Sequence, residues 1–87
     1  MQSDANFYFM QKGFNSDLNV KGQKYHVQTE DWGYQNPFLV SRVFRNGAVV
    51  KTIKTAYETS NTSDAIQRAL RAQHTLVVEK LVSGELT

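Results

Sequence analysis

There is no cysteine among these 87 residues, which excludes a disulfide framework and thiolate metal sites. The single proline, Pro37, falls with Gly33 and Asn36 in what reads as a loop. No apolar run is long enough for a membrane span, and no basic start leads into an apolar stretch of the signal-peptide kind. No membrane association is expected, and the expected location is the cytoplasm. A glycine-rich phosphate loop, a nucleophile elbow, a paired-carboxylate constellation and metal-ligand spacing are all missing. The expectation is a protein that is not an enzyme, with no catalytic residue, no metal and no cofactor.

What is present is enough for one folded domain. A hydrophobic content of 40% with mixed charges excludes a disordered chain. A chain of this size buries only about 60–65% of its unfolded surface, so association would help its stability. The net charge of +2 is unevenly placed. Residues 38–57 hold Arg42, Arg45, Lys51 and Lys54 with no acidic residue, and such a local patch attracts anions.

Those residues, FLVSRVFRNGAVVKTIKTAY, read as two strands hinged on Asn46-Gly47. A two-residue type I′ turn needs positive φ at both central positions, which Asn and Gly tolerate. Counting out from that turn pairs Arg45 with Ala48, Phe44 with Val49, Val43 with Val50, Arg42 with Lys51, Val40 with Ile53 and Phe38 with Thr55. Alternation then gives two apolar faces, one with Phe38, Val40, Phe44, Val49 and Ile53, the other with Leu39, Val43, Ala48, Val50 and Ala56. Each face calls for a cover. The opposition of Arg42 and Lys51 is unfavourable unless both stems snorkel to the rim or meet an anionic group. Bulk argues that the Phe38 face is core; these two cations on it argue the reverse.

The first hairpin reads more simply, with strands over 14–20 and 23–31 and a turn at Lys21-Gly22. One face carries Phe14, Leu18, Val20, Tyr25 and Val27 with the small Ser16 and Thr29, and the other is polar throughout. Asp17 falls opposite His26 and Asn19 opposite Lys24, ordinary cross-strand pairs with no candidate nucleophile beside them. In the loop after this hairpin, Trp32 and Tyr34 either anchor a contact or fold back to plug the end of the core.

A helix is expected over 64–83, capped by Ser63 or Asp64 and followed by Gly84. Its core stripe is Ile66, Ala69, Leu70, Val77 and Leu81, with Gln73 in the middle and His74 at the edge. A glutamine there must tie the helix to a loop or strand end, and His74 reads as a hydrogen-bonded core-edge histidine. Leu76, Val78 and Val82 lie outside the stripe, so the helix end is expected to overhang the sheet and meet something else. At the other end of the chain, residues 1–13 form an extension. Its Phe7, Tyr8, Phe9 and Met10 form an apolar clip that covers a hairpin face, adds an edge strand or covers a neighbouring subunit.

The expected architecture is α+β: a four-stranded antiparallel meander over 14–57 with one C-terminal α-helix packed across one face (ββββα), in a single domain 1–87. The run Tyr25-His26-Val27-Gln28-Thr29-Glu30-Asp31, then Val43-Phe44, Gly47, Tyr57, Gln73-His74 and Gly84, resembles a group of small bacterial proteins of unknown function. That resemblance spans 14–86 and brings no activity or functional residues with it; the FYFM segment departs from it. The order of four strands and a helix also resembles the repeat of the PUR family, which binds single-stranded nucleic acid and pairs two such units.

Two functions follow as expectations. The first is a non-catalytic interaction module, homodimeric or bound to another protein, with Phe7, Tyr8, Phe9, Met10, Val78 and Val82 at the dimer interface. The second is a PUR-like single-stranded nucleic-acid binder. Trp32, Tyr34, Arg42, Arg45, Lys51 and Lys54 are the candidates for contact with a partner or an anion.

Overall fold

A computed structural model describes residues 13–86. Residues 1–12 and Thr87 lie outside the described residues, and Phe7, Tyr8, Phe9 and Met10 with them. The elements are β1 (Phe14–Val20), β2 (Gln23–Asp31), β3 (Phe38–Arg45), β4 (Ala48–Ala56) and α1 (Ser63–Val82). The strands pair antiparallel in the order β1-β2-β3-β4, so the architecture is the expected ββββα meander. Both hairpin turns take positive φ at their two central residues, 52° and 80° at Lys21-Gly22 and 53° and 80° at Asn46-Gly47.

The first hairpin has the expected register, with Asp17 opposite His26 and Asn19 opposite Lys24. In the second, Arg45 faces Ala48 and Phe44 faces Val49 as expected, but Val43 then faces Lys51. Val50 is an extra residue, a β-bulge, and every later residue of β4 changes face. Arg42 therefore faces Thr52, Val40 faces Lys54 and Phe38 faces Ala56. The expected opposition of Arg42 and Lys51 does not occur, because the bulge turns Lys51 to one face of the sheet while Arg42 points to the other.

The bulge also settles which face is core. Leu39 and Val43 lie beneath α1, 2% and 1% exposed, and the shifted Ile53 joins their side. Val27, Tyr25, Val77 and Leu81 pack with Val43 toward the hairpin-turn end, and Leu39, Ile66 and Leu70 pack at the other end. Val40 faces the opposite way and is nonetheless fully buried, with Glu30 and Lys54 on either side of it in register.

Helix α1 starts one residue earlier than expected. Thr62 is the N-cap, its Oγ1 accepting the Ala65 N–H at 3.1 Å, and Asp64 complements the positive end of the helix dipole. At the other end Gly84 (φ 85°) lets the Glu85 N–H reach the Lys80 carbonyl and the Gly84 N–H the Leu81 carbonyl, a Schellman cap. The buried stripe is Ile66, Leu70, His74, Val77 and Leu81. Ala69, expected in it, is exposed, because the stripe is turned toward β1.

The helix end does not overhang. Leu81 is fully buried and Leu86 packs on the same cluster. Strands of 7 to 9 residues span roughly 23–30 Å, which matches the ~30 Å of a 20-residue helix.

Candidate functional site

Three features stand out, all positioned by the sheet. The first is the side of α1 that faces β4. The helix lies over β1, β2 and β3, and β4 is left to one side. Every residue of β4 is exposed except the half-buried Ile53. A groove of about 510 Å³ runs between them, walled by Leu39 and Ile53 from the sheet, Ala69, Ala72 and Leu76 from the helix, and Leu86 from the tail. Leu76 is 51% exposed, and Val49 and Val50 on the same edge strand are exposed to a similar degree.

The second is a buried polar chain beneath α1. Ser16, Thr29 and Ser41 stand on the helix side of three neighbouring strands, Thr29 and Ser41 in one rung with Phe14 and Ile53 and Ser16 in the next, opposite Val27. His74 Nε2 lies 2.8 Å from Ser16 Oγ and its Nδ1 2.8 Å from Thr29 Oγ1, which in turn lies 2.8 Å from Ser41 Oγ. Gln73 Nε2 donates to Ser41 Oγ at 3.0 Å and to the carbonyls of Leu39 (3.2 Å) and Ile53 (3.4 Å). The glutamine thus ties the helix to β3 and β4, as expected of it. Burial pushes the His74 imidazole below its ordinary 6.5, and the positive field of His26 through the sheet adds to that.

Nearby, Asp31 is fully buried and closes the lower end of the core. Its Oδ1 accepts the Gly33 N–H at 2.8 Å and the Tyr57 hydroxyl at 2.6 Å. Burial, and then the hydrogen bond to Asp31, raise the Tyr57 phenol well above its usual range.

The third feature is the helix-free face. Trp32 is 37% exposed there, with Lys54 Nζ 4.9 Å and the Arg42 guanidinium 5.9 Å from its ring centre. Lys54 also sits 4.4 Å from the Phe38 ring centre. Glu30 Oε1 takes hydrogen bonds from Arg42 (2.9 Å) and Trp32 (3.3 Å). These side chains close over Val40 and give this face a small apolar patch of its own. Next to it, His26 bridges Asp17 (2.9 Å) and Asn15 (3.1 Å).

The structure therefore brings together Trp32, Arg42 and Lys54 and separates the other expected contact residues. Tyr34 packs on Leu39, Ile66 and Leu70 as a plug of the core end, whereas Trp32 stays on the surface. Arg45 lies exposed at the turn, opposite Tyr25, and Lys51 on the helix side of β4. Val78 packs on the molecule's own core, and Val82 is 56% exposed. A metal site made of His26, His74 and Glu30 is ruled out by placement, since His74 lies under the helix and the other two point away from it. Among the described residues no cluster of three His, Cys, Asp or Glu could hold a metal, and no helix is long and apolar enough to cross a membrane.

Sequence reasoning missed the groove and the hydroxyl chain. The signal for the chain was a small hydroxyl residue at a core position in each of three consecutive strands. Leu76 outside the main stripe was the signal for the groove. The bulge, by moving Ile53, hid the other wall.

Over the described residues the fold is thus a one-layer antiparallel sheet with a single helix across it and one strand left uncovered. No family model, no curated protein and no solved structure matches this chain. The PUR likeness accordingly rests on the order of strands and helix alone.

Proposed function

We propose that this protein is a non-catalytic interaction module that pairs with a second copy of itself through the groove between α1 and β4. One observation carries the reading: Ile53 and Leu76 face each other across an apolar groove that nothing in residues 13–86 fills. Four strands at their usual spacing make a sheet about 19 Å wide, and one helix of about 10–12 Å cannot cover it. A second apolar element belongs over β4, and a second copy related by a two-fold axis is the commonest source of one. The bulge at Val50 and the lysines at 51 and 54 are devices that discourage open-ended pairing along an edge strand, so the contact is made on the helix side.

Phe7, Tyr8, Phe9 and Met10 join that interface in this reading. Val82 sits ~120° around the helix from Leu76 and Val78 is used internally, so the interface is drawn on the Leu76 flank. The protein then belongs in the cytoplasm, without a cofactor, beside the small bacterial proteins it resembles. Light scattering at micromolar concentration should give a dimer, and Leu76→Glu a folded monomer. A monomeric wild type would overturn the reading.

A second reading, a binder of single-stranded nucleic acid, is favoured by Trp32, Phe38, Arg42 and Lys54 sharing the helix-free face. Against it, Arg42 is already held by Glu30 and the Trp32 ring by Lys54. Fluorescence anisotropy with a labelled mixed-sequence strand decides: tight binding that weakens steeply with salt would put this reading first.

A further inference from the structure

The buried chain from Ser16 to Gln73 ends at the floor of the groove. Its hydroxyls have one arrangement in which the hydrogens of the two fully buried members, Thr29 and Ser41, both find acceptors within the chain. Gln73 Nε2 donates to Ser41, Ser41 donates to Thr29, Thr29 donates to His74 Nδ1, and His74 Nε2–H donates to Ser16. That arrangement requires a neutral imidazole with its proton on Nε2. The surroundings favour neutrality. His74 is 7% exposed, and both ring nitrogens are held by hydroxyls, not by a carboxylate.

The ionisable groups around it offer no compensation for a positive charge. From β1 nothing ionisable points to the helix side; from β2 Tyr25 and Asp31 do, and Asp31 is occupied by Gly33 and Tyr57. From β3 there is Arg45 at the far turn, and from α1 itself Arg71, whose guanidinium lies 4.8 Å from the Phe14 ring that in turn packs 5.8 Å from the His74 ring. Lys51 and Lys54 of β4 add positive charge farther off, and His26 stands on the reverse of the sheet.

We infer that the proton on His74 controls the groove, so that acid loosens the contact surface and weakens self-association. An imidazolium must donate from Nδ1 to Thr29. Thr29 then turns its own hydrogen toward Ser41, whose oxygen already accepts from Gln73. Both lone pairs of Ser41 are taken, and its hydrogen no longer has Thr29 as acceptor. Ser41 is fully buried, so the conflict is relieved at the half-buried end of the chain, where the Gln73 amide turns over and its Oε1 accepts the Ser41 hydrogen. With that turn go the Nε2 bonds to the carbonyls of Leu39 and Ile53, two of the sheet residues that wall the groove. This control rests on the groove being the contact surface.

The test uses the His26→Gln variant, which leaves His74 as the one titrating imidazole, from pH 8 to pH 5. NMR follows the His74 ring and the Gln73 side-chain amide, and sedimentation gives the dimer Kd on the same samples. The amide should move with the midpoint of His74, and Kd should rise up to about a hundredfold, tenfold for each of the dimer's two imidazoles, for each unit by which the His74 pKa differs between monomer and dimer. In Ser41→Ala, His74 should still titrate while the Gln73 amide stays still. A dimer whose Kd is flat while His74 titrates overturns the inference, as does a Gln73 amide that follows His74 without the Ser41 hydroxyl. A protein monomeric at every pH removes the self-association reading by itself. The amide then decides the coupling alone: movement with His74 retains it, and no movement overturns it.

Discussion

The two hairpins of this sheet are built from similar turns and behave differently. In β1 and β2 the alternation of apolar and polar residues runs unbroken from the turn, and the helix covers one face of both strands. In β3 and β4 both faces are apolar in sequence, and one inserted residue, Val50, decides where each side chain goes. The bulge sends Ile53 to the helix side and Lys54 to the Val40 side, and so gives both faces a cover with the residues available. The comparison teaches that a regular hairpin can be read by counting from its turn, whereas a bulged one can be counted only as far as the bulge.

The largest expected effect separates the covered strands from the uncovered one. Leu39→Ala should cost about 2–5 kcal/mol, because a fully packed side chain leaves a cavity. Val49→Ala, on β4, should stay within about 0.5 kcal/mol. Urea unfolding measures both, and equal losses would mean that the helix-free face of β4, where Val49 stands opposite Phe44, is covered in solution.

Thr29→Val comes next. It keeps the shape but leaves His74 Nδ1 and the Ser41 hydroxyl without their partner, at about 1–3 kcal/mol. The same chain makes stability depend on pH. Above the ordinary 6.5 both folded and unfolded states hold His74 neutral. As pH falls below 6.5 the unfolded chain takes the proton first, so stability declines until the lowered folded pKa has been passed. In thermal melts between pH 7.5 and 5, Thr29→Val should show a different slope from the wild type. Parallel slopes would remove His74 as their cause.

Smaller effects probe the bulge. Arg42→Gln should lose its half-exposed pair with Glu30, up to about 1 kcal/mol, and Lys51→Gln should change little. Stabilisation by the double replacement would mean that the two cations oppose each other after all. Deleting Val50 should give a regular hairpin with Ile53 still on the helix side of the sheet, at a cost below about 1 kcal/mol. Intact near-ultraviolet circular dichroism with an unchanged melt would bear that out, and unfolding would show that the twist at the bulge is itself required.

Much of this protein could be read without its coordinates. Turn residues with positive φ at 21–22 and 46–47, alternation in the first hairpin and a 3.6-residue period after residue 62 determine the element order, because each is a local property of the backbone. The role of Gln73 was legible for the same kind of reason: an amide on an apolar stripe must find partners. The position of Val50 in the ladder was not legible, since any of several residues between the turn and Ile53 could be the extra one without breaking a local rule. The face beneath the helix, the joining of Ser16, Thr29, Ser41, His74 and Gln73 into one chain, and the groove beside the uncovered strand were decided only when the sheet and helix packed. Each depends on side chains distant in sequence competing for the same buried space.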